Sequence, residues 1–572
     1  MYVDVVPNRS SPPAVLLRES RREGNKIRKR TIANISHWPA HQVDSLRRLL
    51  KGERLVGLSE AFVIEQSLPH GHVAAVLGTI RSIGLEGMIG SRRCRERDLV
   101  VAMIVEQILH HGSKLADTRT WHATSLAEEL EVGDADANEL YAALDWLLAR
   151  QPQIEKKLGA RHLSEGSTVF YDVTSSYYEG RTCPLARWGH SRDRKQGLPI
   201  IVYGTLADSE GRPVSVDVYA GNTADCATVA EQVHRLTERF ALSRVVLVGD
   251  RGMLTQTRIE DLKQHPGLGW ISALRSGAIR ALIEKGQLES SLFDTDNLAE
   301  ITSADYPNER LIACFNPLLA DERARNRRAL LEMTEARLHK IKAEVERRTK
   351  SPLSKEQIGL KVGKVLNRFK MGKHFKLSIE EGSFSFTRRE EQIKQEQQLD
   401  GIYIVRTNVD AEALGAGEAV RQYKSLSQVE RIYRTVKGLD ILIRPVRHRS
   451  EARVRAHIFL CMLAYYVQWH MRKRLAPVLF DDEQLDELRS QRHPVAKAEP
   501  SESAKSKKNT LVTEAGLPVH SFTTLLAALA TLSRCRCRLA SAGPETQFVQ
   551  LAEGDALHRK VFELLEVPYP VR

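Results

Sequence analysis

Long apolar runs are missing from this chain. The longest covers 12 residues, 456–467, and already includes His457. A membrane-spanning helix needs about 20 apolar residues, so this run is expected to be a buried core helix. The first residues, Met-Tyr-Val-Asp-Val-Val-Pro, lack the character of a signal peptide. Cysteine is sparse and scattered. Of the 7 present, only Cys535 and Cys537 lie close together, with no His or Cys pair at zinc-site spacing. Free thiols in a reducing cytosol are the expectation, with a cytoplasmic, nucleoid-associated location. No internal repeat is visible.

What is present is a soluble globular composition, 42% hydrophobic and 27% charged. The 85 Lys and Arg against 72 Asp and Glu leave a net charge of +13, which suits a polyanionic partner without proving one. A length of 572 residues exceeds a single ordinary core and implies several domains or large insertions.

The pattern changes along the chain. Residues 1–160 begin with a basic hairpin, turned at Gly24-Asn25 and followed by Lys26-Ile-Arg-Lys-Arg30, which is either a DNA-contacting element or a solvated edge. From about residue 41 this region turns helical, with Asp98 able to cap the helix over 98–110. Residues 161–275 carry strand-like runs at 168–172, 199–206, 213–219, 244–249 and 269–274, with a helix over 224–240. Three strands joined by short turns, then helix, strand, helix and strand, predict a mixed α/β sheet. That order resembles the ribonuclease H-like fold, in which the first and fourth strands bring their ends together. Residues 276–400 form a candidate insertion domain with a charge-rich helix over 320–350, and 401–480 return to the core with helices over 416–437 and 451–475. A polar linker is expected at 481–515 and a helical tail at 516–572.

Three acids stand out. Asp172 ends the run Thr168-Val-Phe-Tyr171, Asp250 ends Val245-Val-Leu-Val-Gly249, and Glu430 sits in the helix of 416–437. Each has an ordinary alternative: Asp250 precedes Arg-Gly-Met and can form a turn, and Glu430 among cations can be a surface ion pair. At about 100° per residue, Tyr423, Lys437 and Arg434 fall within about 40° of Glu430, beside an apolar stripe holding Val429, Tyr433 and Val436. Two acids at the ends of apolar strands and a third on a helix can hold two divalent metal ions. Oxygen donors suit magnesium or manganese rather than zinc, and such a pair cuts and joins phosphodiesters.

The runs Tyr171-Asp-Val-Thr-Ser175, Gly189-His-Ser-Arg-Asp-Arg-Lys195, Val248-Gly-Asp-Arg-Gly-Met253, Val429-Glu-Arg-Ile-Tyr-Arg-Thr-Val-Lys437 and Ile443-Arg-Pro-Val-Arg-His448 together resemble bacterial insertion-sequence transposases of the DDE class. The relevant branch carries Tyr-x2-Arg-x3-Glu-x6-Lys. Tyr423, Glu430 and Lys437 match it, and Leu426 occupies the Arg position. A weaker echo lies in Gly112-Ser-Lys-Leu115. The resemblance spans about 165–475 and implies Asp172, Asp250 and Glu430 as catalytic metal ligands. It further implies that Tyr423 and Lys437 contact DNA, and that an insertion domain lies within the 180-residue interval between Asp250 and Glu430. Arg434, Arg251 and the loop residues His190, Arg192, Arg194 and Lys195 are further DNA-binding candidates. The implied activity is cleavage at element ends and strand transfer into double-stranded target DNA, by a homodimer in the DNA complex. A structure-selective nuclease and an inactive DNA-binding relative are the alternatives.

Overall fold

The computed structural model describes residues 1–53, 61–193, 195–293, 296–540 and 544–571. Two compact units result, one from Pro69–Leu532 with Gly554–Pro570, the other chiefly from Met1–Leu68 with Ser533–Glu553.

The larger unit is built on an eight-stranded mixed sheet. In chain order its strands are β1 (Ser167–Tyr177), β2 (Ile200–Ala207), β3 (Pro213–Ala220), β4 (Val245–Val248), β5 (Leu268–Ala273), β6 (Leu298–Ile301), β7 (Arg310–Phe315) and, after the insertion described below, β10 (Ile402–Thr407). Their spatial order is β6-β7-β10-β5-β4-β1-β2-β3. β1 pairs antiparallel with β2, and β2 with β3, whereas β1, β4 and β5 run parallel. All five strands expected from the sequence are present, and the first and fourth are neighbours. Their β-branched and aromatic residues are buried because both faces are covered by helices.

The 25-residue helix Glu451–Leu475 is the central cover. It is buried around almost its whole circumference, from Val454 to Leu475. Ser450 caps it by accepting from the Arg453 N–H. It packs on β3 and on the helices Gly71–Ser82, Arg95–Leu109 and Ala137–His162. The short apolar run is therefore core, and among the described residues no helix is long and apolar enough to cross a membrane. The helix expected to begin at Asp98 starts a turn earlier, at Arg95, and Asp98 instead accepts from Arg93 at 2.7 Å.

The insertion is smaller than its expected span of 276–400. β6 and β7 fall inside that span, yet they extend the main sheet through β10. The separate core begins with the helix Pro317–Arg347, continues through Lys355–Phe369 and the hairpin β8 (Phe375–Glu380) and β9 (Ser383–Arg388), and ends with Glu390–Gln397. Leu338, Ile358, Phe375 and Phe384 are buried in it. Its two ends meet, because Phe315 and Ile402 are cross-strand partners.

Two other expectations change. The polar segment 481–515 contains the helices Leu485–Gln491 and Glu502–Thr510, and the buried Lys507 ammonium donates to the carbonyls of Ala476 and Asp481 and to Glu483. Full satisfaction of those donors anchors a stretch that composition alone marks as a linker. The tail is not all helical: Ser533–Leu539 and Gln547–Leu551 are paired strands, and Arg534-Cys-Arg-Cys-Arg-Leu539 carries the two-residue alternation of a strand.

In the smaller unit those strands form a sheet with Phe62–Pro69. The basic hairpin is present as Ala14–Glu23 paired with Lys26–Asn34, and Tyr2–Val6 adds a third strand. Gly24 takes a φ of 64° at its turn, a conformation that costs glycine nothing. All seven cysteines are free.

Candidate active site

The parallel pairing of β1 with β4 brings two of the acids together. Phe170 is the register partner of Val248. Asp172 and Asp250 each lie two residues further on, so the 78-residue offset that pairs the strands also pairs the acids. Adjacent strands lie about 4.8 Å apart. Asp172 does not end its strand, as the sequence suggests; it lies two residues beyond the last pairing with β4, while β1 continues along β2 with Asp172 opposite Thr205.

Asp172 retains some accessible surface, but the packing around it raises its carboxyl to about 7. Burial is the largest cause, and the carboxylates of Asp250 and Glu430 push the same way. Its own Val173 N–H and the Arg192 guanidinium oppose them. Asp250 forms the turn that its sequence context suggests, accepting from the Gly252 and Met253 N–H groups at 2.7 and 2.9 Å through Oδ1. That turn fixes the side chain and leaves Oδ2 outside it.

Glu430 lies in the first turn of Ser427–Lys437. The single helix expected over 416–437 is broken: Ala416–Ser425 ends at Leu426 and a second helix begins. Leu426 is buried in the core at that break. The residue in the signature's Arg position therefore packs inward. Glu430 is exposed, and among the described residues it forms no ion pair with Arg434 or any other cation. The surface ion-pair alternative is thus absent.

Two contacts fasten this second helix to β1. The Tyr433 hydroxyl donates to the Asp172 carbonyl and accepts from the Thr205 N–H at 3.0 Å. Lys437 donates to Thr174 Oγ1 at 2.7 Å, the Ser175 carbonyl at 2.6 Å and Asp193 Oδ1 at 3.0 Å. Burial pulls the Lys437 ammonium pKa down, with Asp193 opposing. All three of its donors are used within the chain, so its evident task is to hold the helix. Tyr423, on the preceding helix, is lifted to about 12, first by burial and then by Asp250, with Glu430 adding to the effect. It therefore belongs to the acid cluster.

The basic loop after β1 is organised by a residue that the sequence pattern did not single out. Asp193 accepts from the Tyr177 N–H at 3.1 Å, from Lys437 and from Arg444. Its side chain is 2% exposed. Its place in Gly189-His-Ser-Arg-Asp-Arg-Lys195 was the available signal. Arg192 pairs with Asp225, Lys195 covers the Tyr177 ring at 3.9 Å, and His190 and Arg251 are exposed. Arg194 lies outside the described residues. A Cβ at Gly189 would stand 2.0 Å from the Gly221 carbonyl oxygen, so the loop's first position excludes any side chain.

Oxygen donors of this kind suit a hard divalent cation, and the carboxylates of Asp250 and Glu430 both act on Asp172, with the Arg192 guanidinium opposing them. Among the described residues no group of three His, Cys, Asp or Glu side chains is yet close enough to hold an ion. The oxygen chemistry of the three side chains fits a hard cation.

Residues 164–467, more than half of the chain, match the transposase DDE domain. Residues 3–58 match the N-terminal domain of IS1634 family transposases. The chain belongs to the DDE transposases of insertion sequences, enzymes that cut and rejoin DNA. Among solved structures, a piggyBac transposase synaptic complex with hairpin DNA aligns at 12% identity and a TM-score of 0.30, over 78% of this chain and 88% of that one. No curated protein matches.

Proposed function

We propose that this transposase cuts at the ends of its own insertion sequence and joins them to target DNA, with Asp172, Asp250 and Glu430 as the catalytic carboxylates on a ribonuclease H-like sheet. The equal offset of Asp172 and Asp250, each two residues beyond the last paired position of two adjacent parallel strands, carries this reading. The spatial order of the first five strands, third-second-first-fourth-fifth, supports the fold assignment.

The three carboxylates would hold two magnesium or manganese ions, which when bound supply the positive charge needed for attack on phosphorus and for departure of a 3′ oxygen. Asp172 and Asp250 set the position of the scissile phosphate through the rigid strand pair, and Glu430 closes the site from the helix side. Water attacks the phosphorus at the element end, the P–O3′ bond breaks, and the freed 3′ oxygen takes up a proton. In the second step this 3′ hydroxyl attacks a target phosphodiester, forms a new P–O bond and releases a target 3′ hydroxyl. Tyr423, Arg434, Arg251, His190 and Arg192 are proposed to steady the DNA near the cut. Two ends must be joined in one event, so a dimer is expected on DNA.

Incubating the protein with duplexes carrying element ends, supercoiled plasmid and magnesium tests the reading. Joined products flanked by a short target duplication are expected, and Asp172→Asn should bind the ends without cutting them. Cleavage by Asp172→Asn at the wild-type rate would overturn the site assignment.

A further inference from the structure

The Ile443–His448 run and Gly112-Ser-Lys-Leu115 are far apart in sequence, and neither supplies a carboxylate to the site above. Arg444, Pro445, Arg447 and His448 of the first and Gly112, Ser113 and Lys114 of the second line one cavity of about 510 Å³. Its wall contains Lys114, Arg444, Arg447, Arg449 and Arg453 and, among the described residues, no acidic one.

The cations differ in how they are already engaged. Lys114 is buried and neutralised by Asp117 at 2.5 Å. Arg444 is tied to Asp193. Arg453 lies over the Tyr141 ring at 4.5 Å and reaches Asp145 only at 3.9 Å. Arg447 and Arg449 are exposed and, among the described residues, have no ion-pair partner. Ser450 then begins the 25-residue helix, whose N-terminal N–H groups add positive partial charge beside these two guanidiniums. His448 and His457 also line the cavity, and burial together with Lys114 holds both neutral at physiological pH.

We propose that this cavity is a second phosphate subsite, holding a backbone phosphate of the bound DNA apart from the one that reacts. The inference rests on the DNA-cleaving reading of the carboxylate site. Paired guanidiniums match phosphate oxygens bidentately. Arg444 connects the two places, since it lines the cavity and also pairs with Asp193, which holds Lys437 on the helix of Glu430. A phosphate seated here would fix the DNA path relative to the acids. The exposure of Arg447 and Arg449 favours a polymer that crosses the cavity mouth over a free anion enclosed within it.

The full-length chain should be titrated with a short labelled DNA duplex over a range of salt. Arg447→Ala/Arg449→Ala is expected to weaken binding about tenfold and to make the plot of log affinity against log salt shallower by about 0.9 for each phosphate no longer neutralised. Arg447→Lys/Arg449→Lys should recover part of the slope. A charge-matched control on the insertion helix, Lys340→Ala/Arg347→Ala, should leave affinity closer to wild type. Asp172→Asn should bind as wild type does, which separates failure of this subsite from failure of the carboxylate reading. An unchanged salt slope in the double Ala variant, or equal weakening in the control, overturns the proposal. So does a variant that loses thermal stabilisation by inorganic phosphate but binds duplex normally, since the cavity would then take the free anion.

Discussion

The hydroxyl of Tyr433 donates to the backbone carbonyl of Asp172. The same oxygen accepts from Thr205, the cross-strand partner of Asp172, so one buried phenol bridges β1 and β2 at Asp172. Burial and the Asp172 carboxylate push its pKa upward, so it remains a donor. The spacing between Glu430 and Asp172 is thereby set by a residue one helical turn from Glu430.

Tyr433→Phe removes that bridge while keeping the ring. Leaving the buried Asp172 carbonyl and Thr205 N–H without it should cost about 1–3 kcal/mol. Cleavage should slow while affinity for DNA holds. A melting curve and a single-turnover assay test this, and wild-type values in both would show that the phenol does not position the acids.

Glu430 and Asp172 should respond differently to loss of charge. Glu430 is exposed and has no ion pair among the described residues, so Glu430→Gln should change stability by no more than about 0.5 kcal/mol while abolishing cleavage. Asp172 lies in dense packing beside two other carboxylates. Asp172→Asn should therefore melt higher than wild type in the presence of a chelator. Equal melting temperatures for wild type and Asp172→Asn would argue against crowding of the three acids.

Asp193 is the structural hub of the basic loop. Asp193→Ala leaves Lys437 and Arg444 facing each other without their shared carboxylate, and breaking a buried pair this way costs about 3–5 kcal/mol. Lys195→Ala, on the same loop but exposed, should be nearly neutral. Limited proteolysis should cut 189–195 faster in the Asp193 variant, and equal rates would remove Asp193 from this role.

Leu426→Arg restores the family signature in letters only. Leu426 is buried among apolar neighbours at the helix break, so an arginine there meets the cost of burying a charge. A drop in melting temperature without a gain in cleavage is expected. A more active variant would mean that position 426 reaches the DNA.

Acid should destabilise the fold through histidine. His72 and His457 are both buried and depressed to about 4, in each case mainly by burial. Unfolded imidazole titrates near 6.5. A depressed pKa contributes stability that is fully present above about 6.5 and is lost as pH falls towards 4. The melting temperature should therefore fall across that window, and a flat profile from pH 7 to 4.5 would contradict the burial of neutral imidazoles.

Local pattern alone located all five leading strands, the central core helix and the three acids. These rest on short-range regularities: apolar runs bounded by turn residues, a seven-residue spacing on a helix, an Asp at the end of an apolar run. The helix break at Leu426 was not legible, because nothing within the sequence of 416–437 interrupts a helix; the core on one side decides it. β6 and β7 read as part of the insertion because the strand that joins them to the sheet lies far away in sequence, and only folding reveals that β10 is the neighbour of β7. The tail strands show their alternation in Arg534-Cys-Arg-Cys, a signal available but outweighed by flanking helical residues.

The residues proposed for the chemistry are thus a reading of the sequence, since chemistry depends on residue type and on local spacing. How they are held was decided by tertiary structure. Tyr433 reaches Asp172 and Thr205, and Lys437 reaches Asp193, across more than 200 residues of chain. Hydrogen bonds over such separations exist only once the sheet and helix have packed, and the pattern that packs them shows no trace of which polar groups will meet.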